Sequence, residues 1–210
     1  MSATPKPEPE VRKTKIADTV PGVDPLIRSR WSPRSFSSRM VSPEDLRTLF
    51  EAARWAASSY NEQPWRFLVA TKSDPAAYQK ILNLLVEFNQ QWASTAPVLV
   101  ITAAKKTFSH SGAPNRHAMY DAGAALAYLM LQATALGLHA HGMAGFDHER
   151  ARQVLGIPDD YEVGAAVAIG YVDAPEKLPE QYRAGEVSPR QRKPLDQIVF
   201  GAQWEQPFKP

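Results

Sequence analysis

Hydroxyls and carboxamides are concentrated in the run Ser58-Ser59-Tyr60-Asn61-Glu62-Gln63-Pro64-Trp65-Arg66-Phe67, which holds no thiol and no histidine. Such groups donate and accept hydrogen bonds at fixed points on a flat heterocycle. They suit holding a cofactor that carries its own chemistry better than supplying a nucleophile; the competing reading is a polar helix-to-strand connection. A second run, Arg28-Ser29-Arg30-Trp31-Ser32-Pro33-Arg34, sets three guanidiniums and two hydroxyls within seven residues. Guanidinium forks match phosphate oxygens. Far along the chain, Arg190-Gln191-Arg192-Lys193 would point Arg190 and Arg192 the same way if extended. The two clusters serve one phosphate only if the fold unites them; otherwise each is a solvated charged run. His141-Gly142-Met143-Ala144-Gly145-Phe146 offers little side chain, so its backbone could lie against a ligand and donate N–H groups.

The elements that must position these runs follow from hydrophobic period and caps. A short helix is expected over 24–30, and Ser42-Pro43-Glu44-Asp45 opens another to about residue 57. A strand at 66–71 precedes an amphipathic helix over 75–92 that carries Ile81, Leu84, Leu85, Phe88 and Trp92 on one side. A buried strand at 97–103 follows. The helix over 117–137 has almost no polar face through Ala122, Ala125, Leu126, Leu129, Met130 and Ala133, so it should be buried all round, in the fold's centre or at a subunit interface. Strands at 138–141 and 163–171 flank a helix at 147–155, residues 173–194 read as loop, and 195–200 as an edge strand. The long polar region 105–117 is a candidate active-site rim. The expectation is one α+β domain over residues 24–200, with an N-terminal arm at 1–23, mobile or laid on a partner, and a tail at 201–210.

Composition narrows the function classes. At 210 residues with 44% hydrophobic and 22% charged residues, the chain suits one globular domain. A net charge of +2 makes a polyanion-binding surface, and so a nucleic-acid partner, an unfavoured reading. The absence of cysteine excludes disulfides, thiolate catalysis and Cys-ligated metals, and agrees with a cytoplasmic location. No apolar run suggests a secretory signal or a membrane span. His139 and His141 share a strand face, but no carboxylate or cysteine joins them at ligand spacing, so packing roles are expected and no metal.

Taken in order from about residue 25 to 200, the four segments resemble the nitroreductase-like family of FMN-dependent oxidoreductases. That resemblance implies a central, mainly antiparallel sheet flanked by helices in an intertwined homodimer. It implies that Arg30, Ser32 and Arg34, with Arg190 and Arg192, bind the FMN phosphate, and that Trp31 is among the cofactor-binding residues. Ser58, Ser59, Asn61 and Gln63 would reach flavin in the neighbouring subunit, and the turn Met143, Ala144 and Gly145 would present a backbone N–H to flavin N5. Ala57 stands where a proline is frequent and Ala144 where some relatives carry an acid, which leaves the backbone donor intact. The implied chemistry is ping-pong transfer from NADH or NADPH through FMN to a nitroaromatic, quinone or similar small acceptor, with no catalytic side chain. Rival functions are a reductive dehalogenase, a flavin-fragmenting enzyme and a non-enzymatic FMN-binding module.

Overall fold

The computed structural model describes residues 11–208. Helix α1 (Val11–Thr14) precedes α2 (Pro25–Ser29), which Asp24 caps through the Leu26 N–H. In α3 (Pro43–Arg54) the Ser42 hydroxyl accepts from the Asp45 N–H, as the capping pattern predicts; the helix stops at Arg54, three residues early. Strand β1 (Trp65–Thr71) leads to α4 (Pro75–Leu82) and α5 (Glu87–Ala93). Strand β2 (Val98–Lys105), α6 (Ala118–Ala135), β3 (His139–Met143), α7 (His148–Leu155), β4 (Tyr161–Gly170) and α8 (Glu180–Val187) complete the order.

The four strands form one antiparallel sheet in the order β1-β2-β4-β3. Both its faces are covered, which is why β2 reads as an almost continuous apolar run. Alternation sorts it: Leu99, Ile101 and Ala103 face a core with α4, α5 and α7, whereas Val98 and Val100 face a second core with α3 and α6. The α+β expectation and the antiparallel sheet hold.

Several local expectations do not. The single helix over 75–92 is two, broken at residues 83–86, because Leu85 leaves the helical path to bridge Phe146 and the Val86 N–H bonds to Gly145 O. Trp92 is wholly buried, but Phe88 is 53% exposed and packs edge-on against Tyr182. The stretch 173–194 is not all loop, since it contains α8, and 195–200 is no strand but a 3-10 turn at Leu195–Gln197. Of the two places expected for α6, the fold's centre does not hold within one chain: the helix buries one side, through Asp121, Ala125, Leu129 and Ala133, and Tyr120 and Tyr128 stand open on the other, which leaves the subunit-interface alternative. Beside that open side, Leu26, Ala52, Tyr128, Leu131, Gln132 and Ala135 line a shallow apolar groove of about 200 Å³.

Residues 1–10 of the expected arm lie outside the described residues. From Val11 onward the arm is docked on its own chain: Val11 packs with Trp31 and Val172, and the buried Lys15 ammonium donates to the Gly185 and Ser188 carbonyls. Among the described residues no helix is long and apolar enough to cross a membrane.

Candidate functional site

The two arginine runs come together. Arg190 donates to the backbone carbonyls of Lys15 and Arg28, at 3.2 and 2.7 Å, which ties the late run to the early one. Burial holds the Arg30 guanidinium below its ordinary pKa, and the neighbouring Arg190 and Arg192 charges push it the same way. Arg30 also donates to the Ser32 hydroxyl at 3.3 Å. Like charges drawn together and desolvated are costly unless an anion offsets them.

The early run lies along β3, at the sheet edge. Trp31 meets the His139 ring edge-on at 5.9 Å, and His141 Nδ1 lies 2.8 Å from Pro33 O while its ring packs on Trp92 at 4.6 Å. Both histidines therefore have packing roles. Burial pushes His139 down to about 3 and His141 to about 4, with Arg12 and Arg30 also acting on the first and Arg34 and Arg30 on the second. At the other end of β3, the Met143-Ala144-Gly145 turn leaves Ala144 exposed. Asn89 holds the turn by donating its amide to Gly145 O at 3.0 Å, and a Cβ on Gly145 would meet that same amide at 2.6 Å.

The hydroxyl and carboxamide loop sits elsewhere, at the start of β1. Its backbone is unusual: Tyr60, Asn61 and Gln63 all have φ near +50°, at 53, 54 and 51°. Left-handed backbone at non-glycine residues persists only where the surroundings enforce it. Here Ser58 Oγ accepts the Gln63 N–H, and the carboxylate of Asp121, buried in the first turn of α6, accepts the Ser59 N–H at 3.0 Å. Glu62 ties the loop to the 105–117 region by accepting from the Ser109 N–H and hydroxyl. That region is a tight hairpin closed by a Thr107–Pro114 bridge, and Tyr60, Phe108 and His110 form an aromatic trio upon it, with centroids 5.3 to 5.8 Å apart.

Within one chain the loop and the arginines are far apart. Trp65 pairs with Ala104 at the end of β2, whereas His139 pairs with Gly170, level with the start of β2. Strand geometry makes that about 20 Å along the sheet and about 14 Å across it. So the structure unites Arg30, Arg190 and Arg192, sets Trp31, Ser32 and Arg34 beside them, and places Ser58, Ser59, Asn61 and Gln63 at the opposite corner.

The sequence matches the model of the nitroreductase family over residues 27–89 and 74–171. The chain belongs to that family. An oxidoreductase of known structure containing FMN superposes with a TM-score of 0.85 at 40% identity, over 90% of this chain and 96% of that one. The NADH dehydrogenase of Thermus thermophilus is 29% identical over 202 residues, 81% of this chain and 91% of its own length. Protein DrgA of Synechocystis sp. is 32% identical over 183 residues, covering 72% and 85%. For a nitroreductase-family chain, the polar residues that sequence reasoning missed are Asp121, Asn89, Lys15 and Glu186. Only Asp121 left a signal, as a lone acid in the first turn of an otherwise apolar helix.

Proposed function

We propose that this nitroreductase-family oxidoreductase uses FMN to pass reducing equivalents from NADH or NADPH to a nitroaromatic, quinone or similar small acceptor, in alternating half-reactions at one site. The observation that carries this reading is the convergence of Arg30, Arg190 and Arg192 beside the strand that ends at Met143. The local chemistry fits a phosphate monoester of roughly −1.5 to −2 charge. In that same run Trp31 Nε1 and Arg34 Nε are buried donors with no hydrogen-bond partner among the described residues, which suits an acceptor-rich anion. From His139 to Met143 the strand extends about 13 Å, a length over which a sugar-alcohol chain would reach from the arginines to the turn.

When bound, FMN supplies the hydride acceptance and donation that no side chain here provides. Arg30, Ser32, Arg34, Arg190 and Arg192 would then hold the phosphate, beside Trp31, which packs on His139 and Lys15. Met143, Ala144 and Gly145 would meet the ring with backbone, and the Ala144 N–H would donate to its reactive nitrogen. Such a donor stabilises negative charge arising on the ring. Ser58, Ser59, Asn61 and Gln63 are assigned to the ring held by a second copy of the chain. The separation of loop and arginines within one chain supports this, as does the open apolar side of α6.

The purified protein is expected to carry or take up FMN in preference to FAD. Arg30→Ala and Arg192→Ala should each weaken FMN affinity tenfold or more, read by quenching of flavin fluorescence. Affinities unchanged in both would remove the phosphate assignment. Anaerobic rapid mixing with NADH or NADPH should bleach the flavin absorbance. If neither nicotinamide does so, a non-enzymatic FMN-binding module is the better reading.

A further inference from the structure

Glu186 is the most deeply buried carboxylate among the described residues, 1% exposed, and it belongs to α8, remote in sequence from the early arginine run. Its oxygens accept from two consecutive backbone N–H groups: Arg34 N–H lies 3.0 Å from both Oε1 and Oε2, and Ser35 N–H 3.0 Å from Oε1. The next links extend the clamp. Ser35 Oγ donates to Ala174 O at 2.7 Å, and the Asp173 N–H donates to Ser35 O. On the far side Lys15 donates to carbonyls at both ends of this stretch, Gly185 and Ser188, and Arg190 follows four residues after Glu186. Burial pushes the Glu186 carboxyl up, while the Ser35 and Arg34 N–H groups and the Arg34 and Lys15 charges pull it back.

We propose that Glu186 is a positioning residue for the phosphate cradle, fixing the backbone at Arg34–Ser35 so that the early arginine run and Arg190 present their donors to one anion. This rests on the phosphate assignment made above. A negative charge next to an anion site is electrostatically adverse, since it partly cancels the arginines' attraction. Its presence there is explained by shape: a carboxylate offers acceptors to adjacent N–H groups, and no neutral side chain of that length offers as many.

The two roles predict opposite signs, which makes Glu186→Gln a decisive variant. Its amide sets an NH2 group against a backbone N–H donor while removing one negative charge. If Glu186 positions the cradle, FMN affinity falls about tenfold, whereas riboflavin, which lacks the phosphate, binds within twofold of the wild type. FMN binding that is unchanged or tighter, as simple charge removal predicts, overturns the proposal. Equal losses for FMN and riboflavin overturn it too, because they mean general damage. Should Glu186→Gln fail to fold, Glu186→Asp keeps the charge but shortens the clamp, and the same FMN-selective loss is required of it. The underlying assignment is tested separately: if Arg30→Ala leaves FMN affinity intact, the phosphate site is wrong, whereas an Arg30→Ala loss with normal Glu186→Gln binding sinks this inference alone.

Discussion

A heterodimer of an Arg30→Ala, Arg192→Ala chain with an Asn61→Ala, Gln63→Ala chain is expected to bind one FMN with near wild-type affinity, under conditions that leave both parent homodimers almost empty. The reason is topological. The Ser58–Gln63 loop and the arginines occupy opposite corners of one sheet, about 20 Å apart along the strands alone. If one site draws its arginines from one chain and its carboxamides from the other, the mixed dimer concentrates all the damage in one site and leaves the second whole. If each site is built from a single chain, both sites stay damaged and the mixture binds no better than its parents. The readout is bound flavin per dimer after gel filtration of a doubly tagged heterodimer. A wild-type chain that sediments as a monomer with FMN bound and full activity would defeat the two-copy site outright.

Acidification from pH 7 to 5 is expected to cost on the order of 4 kcal/mol of folding stability through His139 and His141 alone. Burial holds their folded pKa values at about 3 and about 4, below the ordinary 6.5. The fold therefore excludes protons that the unfolded chain accepts. This contribution is complete above pH 6.5 and is lost as pH falls from there toward the folded values, at about 1.4 kcal/mol per pH unit for each histidine. Equilibrium urea unfolding of the flavin-free chain, across pH 7 to 5 at constant ionic strength, measures it. A His139→Gln, His141→Gln double variant should flatten the profile whatever its stability at pH 7; an unchanged slope would assign the acid sensitivity to carboxylates instead.

The contrast between what local pattern reveals and what it hides has a physical basis here. The cap at Ser42, the strand expected at 66–71 and the glycine-bearing segment at 142–145 are written in neighbouring residues, and the structure has them there, the strand one residue longer. The two arginine runs could be named from composition, yet their union depends on Arg190 reaching the carbonyls of Lys15 and Arg28, a contact no local pattern carries. The break at residues 83–86 interrupts an unbroken helical period for the sake of one distant bridge from Leu85 to Phe146. Helix α8 has no apolar stripe. It is held by tertiary contacts, with the Tyr182 hydroxyl donating to Phe88 O and Glu186 clamped under Arg34, so local propensity gave little warning of it. The alanines of α6 share one composition on all sides, and only the neighbours decide which side is covered.

That uneven covering of α6 bears on the life of the chain before any flavin arrives. A newly folded copy displays Tyr128, Leu131 and the groove beside them to whatever it meets first. Apolar surface of this kind favours association without discriminating among partners. The second copy proposed above would cover it at a rate set by concentration, whereas intramolecular folding proceeds at its own pace. Slow synthesis would thus prolong the interval in which this face is open to aggregation or to capture by quality control, and rapid synthesis would shorten it. The same stripe that leaves a lone copy vulnerable ties its upkeep to its abundance.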